Sequence, residues 1–172
     1  MISVGYQIAI LLCILILGAN VSAQHDTRGE QQKAERELTG YLNGLLKVSN
    51  TIHWAYRDGK MTIDSGFSIN KTGILSVTVR FHHPDSGFYR VRFASPVACL
   101  TRIVEDLYYV FEATPEAVGI YETKGWNSES LAIARKDDLF HIGCPRKNKL
   151  YKKFKVDKIQ TLLDKVKKYY GA

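Results

Sequence analysis

The sequence predicts an α+β domain in which a long antiparallel β-meander, of about six to eight strands, is covered by one amphipathic helix at each end. Apolar residues recur at helical spacing near the start of the mature chain and again at its end. Between them the period drops to two, and Gly, Pro, Asn and Asp clusters break the alternation at regular intervals. A meander closed into a small barrel with a terminal helix is the alternative.

Residues 1–23 carry no charged side chain, and Ile8 to Leu17 is almost continuously apolar. Val21-Ser22-Ala23 places small residues where a signal peptidase requires them, with Gln24 following. This pattern is that of a cleavable signal peptide, and the apolar run is shorter than the ~20 residues of a membrane span. An uncleaved anchor is the competing reading, because no Lys or Arg precedes the run. Cys13 lacks the preceding small residues of a lipid-attachment site. The expectation is export, to a periplasm or the extracellular space, of a single domain spanning 24–172, with no integral span after cleavage.

The mature chain opens on a helix. Thr27 and Glu30 have the spacing of a capping box, and Ala34, Leu38, Tyr41, Leu42, Leu45 and Leu46 form one stripe. Gly40 and Gly44 lie one turn apart and suit a close approach. Asp58-Gly59 between two alternating runs, 52–57 and 60–64, signals a tight hairpin, and Asn70-Lys71-Thr72-Gly73 a second turn. Leu75, Val77, Val79 and Phe81 then alternate with polar residues. Pro84-Asp85-Ser86-Gly87 reverses the chain, and Tyr89, Val91 and Phe93 alternate on the return. Further strands are expected at 106–112, 117–123, 129–135 and 139–143, and one at a sheet edge over 150–155. Residues 96–104 fit either a strand or a helical turn. A final helix, capped by Asp157, presents Ile159, Leu162, Leu163, Val166 and Tyr169 or Tyr170 and stops at Gly171.

Two features point to binding. If the strands around Pro84 pair as their alternation requires, Arg80 lies across from Arg90 or Arg92, with His82 nearby. Like charges facing each other on a sheet are destabilising, so either acidic side chains or an anionic ligand must sit between them. Asp106 and Glu112 are the expected internal partners. The ordinary account is a solvated face laced with ion pairs. The second feature is charge: the chain carries +7, and all of the excess lies in residues 133–172. Lys149, Lys152, Lys153, Lys155, Lys165, Lys167 and Lys168, interleaved with Tyr151 and Phe154, form a basic patch, for which a solvated face is the competing reading.

Cys99 and Cys144 remain after cleavage, and in an oxidising compartment the pair is expected to form a disulfide. Adjacent His82 and His83 point to opposite faces of a strand, which argues against a shared metal, and no cofactor is expected. Trp126, in a predicted loop, is a candidate contact residue if exposed, with folding back to cover the core as the alternative, and His141 is a core or face residue. Asn70 opens a glycosylation sequon. The sequence contains no nucleophile elbow, HExxH, Walker loop or dinucleotide fingerprint. The expectation is therefore a small exported domain that binds a protein or an anionic ligand, with nucleic acid not expected. A hydrolase without a local motif and an assembly protein of the cell envelope are the alternatives.

Overall fold

Residues 27–56, 59–144 and 153–171 are described by a computed structural model. The predicted signal peptide, Asp58 of the predicted hairpin, and Lys149 and Lys152 lie outside them. Among the described residues no helix is long and apolar enough to cross a membrane.

Helix α1 covers residues 27–47. Thr27, expected to cap it, is already helical, as is Glu30. Ala34, Leu38, Leu42, Leu45 and Leu46 of the expected stripe are buried. A short 3-10 turn, Trp54–Tyr56, follows where the sequence predicts a strand. Local hydrogen bonds explain the difference: His53 Nδ1 accepts from the Ala55 N–H, and Thr51 Oγ1 donates to the His53 carbonyl. Such side-chain bonds compete with a sheet ladder for the backbone.

Among the described residues eight strands follow: β1 Lys60–Ile69, β2 Ile74–His83, β3 Gly87–Pro96, β4 Leu100–Glu105, β5 Tyr109–Ala113, β6 Val118–Thr123, β7 Leu131–Asp137 and β8 Leu139–Gly143. All pairs are antiparallel, in a five-stranded sheet ordered β1-β2-β3-β6-β7 and a three-stranded sheet ordered β4-β5-β8. Both sheets are open, so the fold is the α+β arrangement and not a closed barrel. The ambiguous stretch 96–104 is where the chain changes sheets: Val97–Cys99 is a 3-10 turn, tied to the β1–β2 turn by the Val97 N–H on the Gly73 carbonyl at 2.9 Å. Residues 106–108, expected as strand, form the β4–β5 turn instead, with the Asp106 N–H on the Tyr108 carbonyl.

Helix α2, Val156–Lys167, starts from Lys155 as its N-cap, so Asp157 sits in the first turn rather than capping it. Lys153–Lys155 are not strand. The two helices lie side by side. Glu37 pairs with Lys165, Tyr170 donates to Glu35, and Tyr41 meets Phe154 edge to face. Between helices and sheets lies one core, with Leu75, Val77, Val79 and Phe81 of β2, Val91 and Phe93 of β3, and Phe140 and Ile142 of β8 fully buried. Gly73 is needed where it stands. It has φ +77°, and a Cβ would come within 2.5 Å of the Tyr170 ring.

Candidate functional site

The small sheet has two faces of different character. Ile103, Phe111 and Phe140, in register, turn to the core. Val104, Val110, Glu112, Leu139 and His141 turn the other way, and they form one wall of a cleft of about 920 Å³. The 3-10 turn supplies His53, Trp54 and Ala55, the β4–β5 turn Asp106, Leu107 and Tyr108, and β7 Arg135 and Asp137. Trp54 and Leu107 are more than half exposed, whereas His53 and His141 are buried. The rim is apolar and the deep wall holds two imidazoles.

Their rings meet edge to face with centroids 4.2 Å apart, and Phe93 and Tyr108 pack around them. His53 Nδ1 accepts the Ala55 N–H, which leaves the neutral ring's proton on Nε2. His141 Nδ1 is buried and has no hydrogen-bond partner among the described residues. Burial, with the neighbouring His53 and Arg135, pushes the His141 pKa down to about 4, and burial lowers that of His53 as well. Both rings are therefore neutral near pH 7.

The charged neighbours are mostly engaged. Arg135 donates to Glu122 at 2.9 Å and to the Tyr56 hydroxyl at 3.3 Å, and Tyr56 in turn donates to Glu122. Burial and the Glu122 carboxylate raise the Tyr56 pKa, so it stays a phenol. Glu112 receives Arg102 through both carboxylate oxygens, at 2.6 and 2.8 Å. Asp137 Oδ1 accepts the N–H groups of Asp138 and Leu139. Among the described residues, His141 Nδ1 is the buried side-chain polar atom left without a partner, and such an atom calls for an explanation.

The arginine face takes the ordinary form. Arg80 pairs with Arg90 across the β2–β3 ladder, as the alternation requires. Asp64 of β1 and Glu129 sit between them: Arg80 reaches Asp64 at 2.9 Å and Glu129 at 3.0 Å, and Arg90 reaches Glu129 at 2.8 Å and also binds Asp64. Burial alone would raise the Asp64 pKa, but the hydrogen bonds from Arg80 and Arg90 hold it below the usual carboxylate range. The expected partners lie elsewhere, Asp106 in the β4–β5 turn and Glu112 on β5 of the other sheet. Arg92 donates to Ser76, at 3.3 Å, and His82 contacts Thr62 and Phe88. His83 turns instead to Tyr89 and Trp126. No group of three His, Cys, Asp or Glu able to hold a metal occurs among the described residues.

The basic patch is partly absorbed by packing. Lys165 pairs with Glu37 and Lys167 donates to the Leu100 carbonyl, while Lys153, Lys155 and Lys168 are exposed. The expected disulfide is not formed, and both thiols are free. Leu100 pairs with Ala113 and Gly143 with Tyr109, so Cys99 and Cys144 stand at opposite ends of the small sheet, on either side of β5. The length of β5 alone separates them by about 13 Å, roughly twice the Cα reach of a disulfide.

Neither His53 nor Asp137 is singled out by any local motif. The alternation Arg135, Asp137, Leu139, His141 does run on through the end of β7 and the start of β8, across the switch of sheets at Asp138, and all four residues line the cleft. No protein-family model, curated protein or solved structure matches this chain.

Proposed function

We propose that the mature chain is an exported domain that binds rather than catalyses, and that its ligand is a small, partly apolar anion seated in the cleft between the two sheets. The buried Nδ1 of His141, a residue of the cleft wall, has no partner among the described residues and carries this reading. An acidic head would give that ring a partner and, by its charge, favour its protonation beside Arg135. Trp54, Leu107 and Tyr108 offer the apolar surface that would hold the remainder of the molecule. Glu112 and Asp137 oppose an anion less than their charge suggests, because Arg102 and the backbone N–H groups of 138 and 139 already engage them. The arginine face is the weaker candidate, since Asp64 and Glu129 already occupy the space between its guanidinium groups.

A hydrolytic reading needs a nucleophile beside one of the cleft imidazoles. The hydroxyl–imidazole contact between Thr62 and His82, at 3.2 Å, lies on the exposed side of the large sheet instead. The test is a panel of aromatic and aliphatic carboxylates, titrated against residues 24–172 in a Trp126→Phe background so that Trp54 reports. A carboxylate that changes the Trp54 emission, and binds at least tenfold more weakly to His141→Phe, supports the proposal. No response from any carboxylate, or equal binding by the variant, contradicts it.

A further inference from the structure

Among the described residues the two sheets have four outer strands, and three of them receive hydrogen bonds from other parts of the chain at or next to their outer edges. At β1, the Asn43 side chain of α1 donates to the Phe67 carbonyl at 3.0 Å and accepts its N–H at 2.7 Å, and two register shifts break the remaining edge. At β4, Gln160 of α2 accepts the Ile103 N–H at 2.9 Å, and Lys167 donates to the Leu100 carbonyl at 2.6 Å. Beside β8, the chain at 50–51 pairs with Cys144 in both directions, at 3.4 and 3.0 Å. The outer edge of β7 receives no such bond from the described residues.

An unpaired strand edge is a template for another strand. The first half of β7, Leu131-Ala132-Ile133-Ala134, is apolar, and Ile133 is 55% exposed. Its charged residues, Arg135, Lys136 and Asp137, are confined to the second half. This distribution favours a second copy of the same strand in one register. Antiparallel pairing about Ala132 sets Leu131 of each copy against Ile133 of the other, on the face that also carries Tyr121, opposite Ile133 in the β6–β7 register. The small Ala132 lies at the two-fold axis, where backbones must approach. The cations of each copy then lie beyond the overlap. A register centred on Arg135 would face guanidinium groups across the ladder, which sheets disfavour.

We infer that β7 is a self-association edge, through which two copies join their large sheets into one continuous sheet with two-fold symmetry. The overlap is short, so the dimer is weak, and it would leave the cleft wall of the small sheet free.

Sedimentation velocity on residues 24–172, from about 1 µM to about 1 mM, reads the equilibrium directly. The expected result is a reversible monomer–dimer equilibrium that Ile133→Lys weakens at least tenfold while leaving the melting temperature of dilute protein unchanged. Hydrogen exchange should show the amides of 131–134 gaining protection as concentration rises, and the β1 amides unchanged. A wild-type chain that stays monomeric throughout, a dimer that Ile133→Lys leaves intact, or a dimer without protection at β7 would each overturn the inference. Because this readout needs no cleft ligand, it stands or falls separately from the proposed binding function.

Discussion

Replacing His141 by phenylalanine removes a buried base while keeping a ring between Phe93, Tyr108 and His53. In the unfolded chain this imidazole titrates near its ordinary 6.5, and in the folded domain near 4. Between those values the unfolded state binds the extra proton, so stability falls as pH falls through this window, and the full loss is reached below the folded value. At about pH 5 the loss is about 2 kcal/mol, at ~1.36 kcal/mol per pKa unit. His53, Arg135 and Asp137 also act on the ring, the first two opposing its protonation and the third favouring it. His53 is shifted in the same direction, but it is present in both proteins and largely cancels in their difference. The assay is urea unfolding of wild type and His141→Phe at about pH 7.5 and about pH 5. With a slope of about 2 kcal/mol/M, the wild-type midpoint should drop about 1 M further than that of the variant. Parallel pH profiles would refute the reasoning, because they would mean that the ring is solvated or already paired.

Three other outcomes follow from named contacts. Asp64→Asn leaves Arg80 and Arg90 facing each other with Glu129 alone between them, so the melting temperature should fall, and fall further at low ionic strength. An Asp64→Asn protein as stable as wild type at low salt would contradict the pairing. Gly73→Ala forces a side chain into left-handed backbone and against Tyr170, and should cost at least about 1–2 kcal/mol in chemical unfolding; no change would show that the β1–β2 turn relaxes freely. Residues 24–172, purified without reductant and then denatured, should titrate two thiols, and reductant should not move the folded protein's midpoint. A reductant-sensitive midpoint would contradict the placement of Cys99 and Cys144.

The strands at 74–96 were legible because each buries one face, and a period of two admits no other assignment. Both helices were legible for the same reason at a period of 3.6. The hairpin expected at Asp58-Gly59 failed on its first strand because Thr51 and His53 satisfy their own backbone, which alternation does not register. The arginine opposition was readable as a pair, whereas its resolution was not: Asp64 and Glu129 arrive from β1 and from the segment before β7, remote in sequence. The cleft was hidden for a related reason. Its imidazoles come from a turn at one end of the chain and a strand near the other, and sequence spacing carries no information about a 4.2 Å contact between them.

The central claim is that the His53–His141 wall of the cleft receives an acidic ligand. The imidazole resonances of isotopically labelled protein, followed through a pH titration with and without the carboxylate that perturbs Trp54 most, test it directly. His141 is expected to titrate near 4 in the free domain, and its apparent pKa to rise on binding. A bound carboxylate that leaves the His141 titration where it was would place the ligand elsewhere and contradict the claim.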